Sequence, residues 1–380
     1  MEGRAGLRDF DVAIVGAGPA GAAAALAACR TGARVLLLDR SDFPRDKVCG
    51  DGIAAEAVTV LRGLGVAGVT DGYPAIERLR LVGPGGSAVA RPLPRAAYTV
   101  PRRVFDERLV RAAVAAGADL RKHTVRSVRA AGDGITIDGR FRAGVVIGAD
   151  GAGSVVRRAL GHPVNPPGHL AVAIRGYAPT TNTTEQVIVT TRQRWPAYAW
   201  EFPLGDGTAN VGYGEVLRGV PLSRAYLSER LDALLDGGEP TGVRGHHLPL
   251  STRRPPPARG RVLLTGDALS LINPFTGEGI FYAVLSGALA GEAAAAGPER
   301  VAERYGRALR HRLGRHLRHS GFATRLTRQP WVVDAAVGAA ARDGEVFDRM
   351  VELGLGDGVF DLRTIGRIAA RLGQRHPADP

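Results

Sequence analysis

The chain has 380 residues, a formal net charge of +13, and 45% hydrophobic against 23% charged residues. That length exceeds what one hydrophobic core usually serves, so two domains are expected, and the lack of any uninterrupted apolar run of about eighteen residues excludes a conventional membrane-spanning helix. Cys29 and Cys49 are too few for a disulfide framework or a structural zinc site, and a positive balance carried almost wholly by arginine, with Lys47 and Lys122 the only lysines, is no nucleic-acid footprint by itself.

The start MEGRAGLRDF lacks the hydrophobic core of a secretory signal, and a cytoplasmic protein is expected. The apolar run Val12, Ala13, Ile14 and Val15 predicts a buried parallel strand, followed by a helix from Ala20 to Arg30. Between them Gly16 permits a tight turn, Gly18 lets backbone approach a pyrophosphate at the helix N-terminus, and Gly21 lets the helix pack closely on the strand. A second strand, Arg34 to Leu38, ends in Asp39, whose carboxylate can accept from both ribose hydroxyls of an adenosine and would repel a 2′-phosphate. The pattern favours FAD or NAD over NADP. Cys29, on the first helix, reads as a small buried hydrophobe. Cys49 differs: it stands in the charged loop SDFPRDKVCGDG, two residues after Lys47 and two before Asp51.

Farther along, helical spacing covers Ala54 to Leu64, and residues 74–98 read as an antiparallel hairpin that leaves the nucleotide-binding unit. A helix from Arg103 to Ala116 and two short strands lead back to Val145, Val146 and Ile147, a strand ending at Gly148, Asp150 and Gly151. Residues 165–250 are mainly antiparallel strand, with one helix around Leu222 to Leu235. Tyr198, Trp200 and Phe202 alternate along one of these strands and so share a face. The linker STRRPPPARG closes this region. The strand Val262 to Leu264 then returns, with Asp267 at its C-terminal end, and Gly277, Glu278 and Gly279 open a small-residue helix. From Pro298 the chain is helical and arginine-rich, which reads either as a solvated polar face or as a basic surface resting on anionic lipid. His311, His316 and His319 have no metal-binding spacing, and no metal is expected.

The expected fold is therefore α/β: a discontinuous Rossmann-like dinucleotide domain (1–72, 99–163, 255–297), an interleaved, mainly antiparallel β-sheet substrate domain (73–98, 164–254) and a helical C-terminal region (298–380).

With these pieces in place, the sequence resembles the geranylgeranyl reductase family, within the FAD enzymes that include aromatic hydroxylases and flavin halogenases. The likeness rests on Gly16 to Asp39, PRDKVCGDG at 44–52, GADG at 148–151, GDALSLINPFTGEGI at 266–280, and PAYAWEFP at 196–203 followed by GYG at 212–214. The resemblance implies FAD, held by Gly16, Gly18, Ala20, Gly21, Asp39 and Arg40, then by Lys47, Cys49 and Gly50. It adds Arg103, Val125, Asp150 and Gly151, and finally Asp267, Pro274, Gly277, Glu278, Gly279 and Ile280. The helix opened by Gly277 to Gly279 would favour negative charge on a reduced flavin by about 0.3–1 kcal/mol. An apolar small-molecule or lipid substrate would rest on Tyr198, Trp200, Phe202, Pro203 and Tyr213.

The reaction implied is reduction of a carbon–carbon double bond in an isoprenoid or other apolar natural product, with hydride from reduced flavin and a proton from Cys49; Tyr213, Tyr198 or water are the other available donors. A flavin monooxygenase or halogenase is the alternative, disfavoured because YAWEFP replaces the halogenase WxWxIP and the cysteine block is not typical of aromatic hydroxylases. A non-catalytic flavin- or lipid-binding protein is a second alternative. No second GxGxxG has strand and helix context, which leaves transient NAD(P)H and a redox partner such as ferredoxin both open as electron donor.

Overall fold

The computed structural model describes residues 8–220, 222–234, 239–360 and 362–372. The strand Arg8–Val15 lies at the centre of the first sheet, paired in parallel with Val35–Asp39 on one side and Phe141–Gly148 on the other. Asp119–Lys122 and Val262–Leu264 extend the parallel pairing outward. The register sets Val15 beside both Leu38 and Gly148, and Leu264 beside Gly148. The carboxyl ends of four strands therefore lie side by side, bringing Gly16, Asp39, Ala149 and Gly266 to one edge of the sheet, where open α/β sheets bind ligands. The central strands are apolar toward their carboxyl ends because both faces are covered there: Val12, Ala13, Ile14 and Leu36 to Leu38 have no solvent exposure.

Helix Pro19–Cys29 explains its own composition. Every residue from Pro19 to Ala28 is buried, so it shows no polar face. Small side chains let it approach its neighbours. A Cβ on Gly21 would lie 1.8 Å from the Gly16 carbonyl oxygen, and one on Gly287, in helix Ile280–Ala295, would lie 2.1 Å from the Ala20 carbonyl oxygen. Backbone meets backbone at both points, which only glycine permits. Gly16 also needs the left-handed turn, with φ at 98°.

The second sheet has the strand order Thr241–Pro249, Leu170–Pro179, Thr208–Val216, Ala197–Pro203, Glu185–Thr190, Ala75–Val82, Ala88–Thr99 and Gly52–Ile53. All its pairs are antiparallel except Glu185–Thr190 with Ala75–Val82. Gly52–Ile53, within the stretch 1–72 expected in the dinucleotide unit, instead pairs with Thr99 and Tyr98 and so joins the cysteine loop directly to this sheet. Helix Arg224–Asp232 covers one face through Leu227 and Leu231. Helices Pro330–Arg342 and Gly344–Leu355 pack on the 75–99 hairpin through Val337, Phe347 and Val351.

The arginine-rich segment forms the long helix Val301–Leu326. It is anchored by Tyr305, whose hydroxyl donates to the Leu264 carbonyl at 2.8 Å, and by His316, whose ring is buried between the Tyr282 hydroxyl and the Gly358 carbonyl. His316 is thus a packing residue. Residues 1–7, Leu235 and 373–380, which fall within the expected elements, lie outside the described residues.

Candidate active site

A cavity of about 830 Å³ runs from the edge of the first sheet to the inner face of the second, near the upper end of the range for cofactor and ligand sites. At the first end lie Gly16, Gly18, Asp39 and Arg40, together with Val125, Asp150 and Gly151. The Asp39 carboxylate accepts the Ala17 N–H at 2.8 Å and the Ser41 N–H at 2.9 Å, which fixes its position at the strand end. Helix Pro19–Cys29 has no side-chain cap, so the N–H groups of its first turn open toward the cavity. Asp150 caps the short helix Val155–Ala159, accepting the Val155 N–H at 2.6 Å.

Positive charge dominates the middle of the cavity. Lys47 is brought down to about 8 by burial, against the pull of the Asp267 carboxylate. His246 is pushed down to about 3, first by burial and then by Lys47, His247, Arg102 and Arg40. Arg102 forms a two-pronged pair with Asp106 at 2.6 and 2.8 Å, and Arg45 approaches the same carboxylate at 3.3 Å. An uncapped helix start, several cations and a ribose-height carboxylate fit the pyrophosphate and adenosine of a dinucleotide.

The far end is apolar. Tyr198, Trp200 and Phe202 project from one face of Ala197–Pro203 and meet Leu79, Ile188 and Leu355. Cys49 and Gly50 stand where the two halves join. Burial pushes the Cys49 thiol up, although Arg102 beside it pulls the other way. The thiol therefore stays protonated at neutral pH.

The loop carrying Cys49 is held from the second sheet. Arg175, 1% exposed, donates to the Asp46 carboxylate at 2.6 Å and to the Lys47 carbonyl at 3.3 Å. Asn210 donates to the Cys49 carbonyl at 3.0 Å and to Asp51 at 2.8 Å, and itself accepts the Trp200 indole N–H at 2.8 Å. Asp51 is fully buried and also takes the Tyr177 hydroxyl at 2.6 Å. Arg45, Asp46, Arg175, Tyr177 and Asn210 were not expected from the sequence. Asp46 and Arg175 meet across 129 residues of chain, so no local pattern announces them.

Four expected positions fall elsewhere. Arg103 is exposed; the helix begins one residue earlier, at Arg102, and its first turn directs Arg102 inward. The spacing of Arg102 and Asp106, one helical turn apart, was the available signal. Tyr213 pairs with Ala199 and shares the opposite face of the sheet, where it packs with Leu227 and donates to Glu215 at 2.9 Å. It is not a cavity residue and has no access to a substrate there. Pro203 is out of phase with Phe202 and likewise faces away. Pro274 lies in the loop before Thr276 but not in the cavity wall. Gly21 acts through helix packing, whereas Ala20, Lys47, Asp267, Gly277, Glu278, Gly279 and Ile280 all line the cavity.

Two buried carboxyls give the site a pH signature. Burial raises Asp51 to about 6, against its bonds from Tyr177 and Asn210, and raises Glu278 to about 7, against the N–H groups of Phe281 and Ile280. Each folded-state value lies above the unfolded one, so the folded chain retains protons that the unfolded chain releases. That stabilising contribution is complete below about pH 4 and is lost as pH rises through the two folded values. Between about pH 4 and 7 these two carboxyls should lower the melting temperature as pH rises, against His246, whose depressed value acts in the opposite sense as the unfolded imidazole loses its proton. Glu278→Gln, whose Oε1 still accepts the Phe281 N–H, should flatten the upper part of the fall; an unchanged profile would contradict the assignment.

The sequence profile of the FAD binding domain family matches residues 9–204. The chain is 34% identical over 309 residues to a menaquinone reductase of Mycolicibacterium smegmatis, covering 74% of this chain and 75% of that protein. It is 36% identical over 310 residues to digeranylgeranylglycerophospholipid reductase 1 of Methanopyrus kandleri, covering 75% and 80% respectively. The fold matches the crystal structure of a geranylgeranyl bacteriochlorophyll reductase-like protein from Thermoplasma acidophilum, with a TM-score of 0.80, 21% identity and 98% of each chain covered.

Proposed function

The chain belongs to the FAD binding domain family and is an FAD-dependent oxidoreductase of the geranylgeranyl reductase kind, and from that premise we propose that it reduces a carbon–carbon double bond in the isoprenoid portion of a lipid or quinone. One observation carries the reading. A protonated thiol stands where an electropositive dinucleotide channel opens into an apolar chamber.

FAD, when bound and reduced, supplies the hydride. Gly16, Gly18 and Asp39 would hold its adenosine and pyrophosphate, with Lys47 and Arg102 offsetting the phosphate charge. Tyr198, Trp200, Phe202, Leu79 and Ile188 would seat the isoprenoid and exclude water. Cys49 would deliver the proton from Sγ. The Arg102 guanidinium, whose charge favours the ionised thiol, would stabilise the thiolate left behind. Tyr198 is the weaker donor: its hydroxyl donates to the Thr276 carbonyl at 2.7 Å, and burial raises its pKa. Glu278 also lines the cavity, with its Oε1 taken by the Phe281 N–H at 2.7 Å.

The test is anaerobic reduction of the holoprotein with dithionite, followed by isoprenoid quinones and geranylgeranyl lipids. Recovery of the oxidised flavin spectrum with a product that has gained hydrogen is the expected result. Reoxidation that requires oxygen and gives an oxygenated or halogenated product would replace this reading with the monooxygenase or halogenase one. A flavin that reduces but reoxidises with no alkene would point to a binding protein. Adding NADPH or reduced ferredoxin in place of dithionite identifies the electron donor.

A further inference from the structure

We propose that the outer face of helix Val301–Leu326, with the turn after it, docks the protein on an anionic lipid bilayer. Between residues 301 and 328 there are eight arginines against the single acid Glu303, and Glu303 is already paired with Arg300. The helix buries Tyr305, Leu309, Leu313 and His316 against the body of the protein. On the opposite side, His311, Arg315, Arg318, Phe322 and Arg325 follow one another at spacings of three and four, with Leu326 four residues after Phe322, and form one outward stripe. Among the described residues, Arg315, Arg318, Arg325 and Arg328 form no ion pair.

The stripe changes character along its length. It starts cationic and ends apolar, with Phe322 54% and Leu326 48% exposed, and Trp331 36% exposed at the start of the next helix. Arginines suit phospholipid headgroups, and exposed aromatic and aliphatic tips suit the acyl boundary beneath them. Nucleic acid would satisfy the arginines but offers no apolar phase to Phe322 and Leu326. The surface also adjoins the chamber. The Trp195 indole donates to the Thr327 carbonyl at 2.6 Å, and three residues later the same chain segment supplies Tyr198 to the cavity wall. Asp334, beyond the turn, takes the Gly85 N–H at 2.7 Å and the Ser87 hydroxyl at 2.8 Å, fixing the tip of the 75–99 hairpin to the same base.

The purpose of docking rests on the reading of an apolar substrate, but the contact is tested without turnover. The flavin-loaded full chain is floated with phosphatidylcholine vesicles, with and without about 30% phosphatidylglycerol. Binding to the anionic vesicles alone, weakening as salt rises, is expected. R315E/R318E/R325E should lower it by about tenfold or more with the flavin absorbance unchanged. F322S/L326S should retain low-salt attraction and lose the salt-resistant fraction. Equal binding to neutral vesicles, no binding by the wild type, or wild-type binding by either variant overturns the proposal. So does displacement by duplex DNA that F322S/L326S leaves unaltered. Turnover of detergent-dispersed substrate should be the same in wild type and charge-reversed protein; its absence from both would fault the substrate reading and leave the docking result standing.

Discussion

Replacing Cys49 with alanine should slow substrate-dependent reoxidation of the reduced enzyme by about 100-fold or more, with flavin still bound. The size follows from the loss of a proton donor positioned where the dinucleotide channel meets the chamber. Tyr198 is committed to the Thr276 carbonyl, Glu278 to the start of its helix, and Tyr213 lies across the sheet. Cofactor retention should survive, because the loop is held by the Asp46 carboxylate and by the Lys47 and Cys49 carbonyls rather than by the thiol. Cys49→Ser keeps the shape but supplies a far weaker acid, so it should behave as alanine does. Stopped-flow absorbance in an anaerobic cell reads the rate, and flavin content per chain is the control. A rate within a factor of about two of the wild type would move the proton source to water or Tyr198.

Gly287→Val should remove both the stable fold and the flavin. A Cβ there meets the Ala20 carbonyl oxygen at 2.1 Å and the Ala20 Cα at 3.0 Å. No rotamer relieves a clash with backbone, so helix Ile280–Ala295 must shift away from Pro19–Cys29, at a cost of about 3 kcal/mol or more. The shift would also disturb the N-terminus that faces the dinucleotide. Little soluble yellow protein, or a much lower melting temperature with colourless protein, is the expected outcome. Glu292→Val, on the exposed side of the same helix, should change stability by no more than about 0.5 kcal/mol. Gly287→Val protein that melts as the wild type and retains flavin would disprove the contact.

The dinucleotide half was readable because its chemistry is local. Strand, turn, helix and Asp39 fall within thirty-odd residues, and each glycine answers a constraint set by its immediate neighbours. Tyr198, Trp200 and Phe202 were readable for a similar reason, since alternation along a strand puts them on one face. The same alternation excludes Pro203. Tyr213 depended on how one strand registers against another, which carries no local signature: pairing with Ala199 sends it to the far side, whereas pairing with Trp200 would have brought it in. Arg103 failed by one residue because helix starts are blurred where Pro101 precedes a run of two arginines. The clasp on the cysteine loop was invisible, because Arg175 and Asn210 act across more than a hundred residues of intervening chain.

That clasp makes the cysteine loop and the second sheet a single heritable unit. Pro44 to Gly52 carries the sequence block most particular to this chemistry, yet Asp46, Lys47, Cys49 and Asp51 are all tied to side chains from strands Leu170–Pro179 and Thr208–Val216. A loop transplanted alone onto another flavoprotein would bring the thiol and leave behind the groups that aim it. The chamber wall at Leu79, Ile188 and Leu355 makes none of these bonds to the loop, whereas Arg175, Tyr177 and Asn210 belong with the loop they hold.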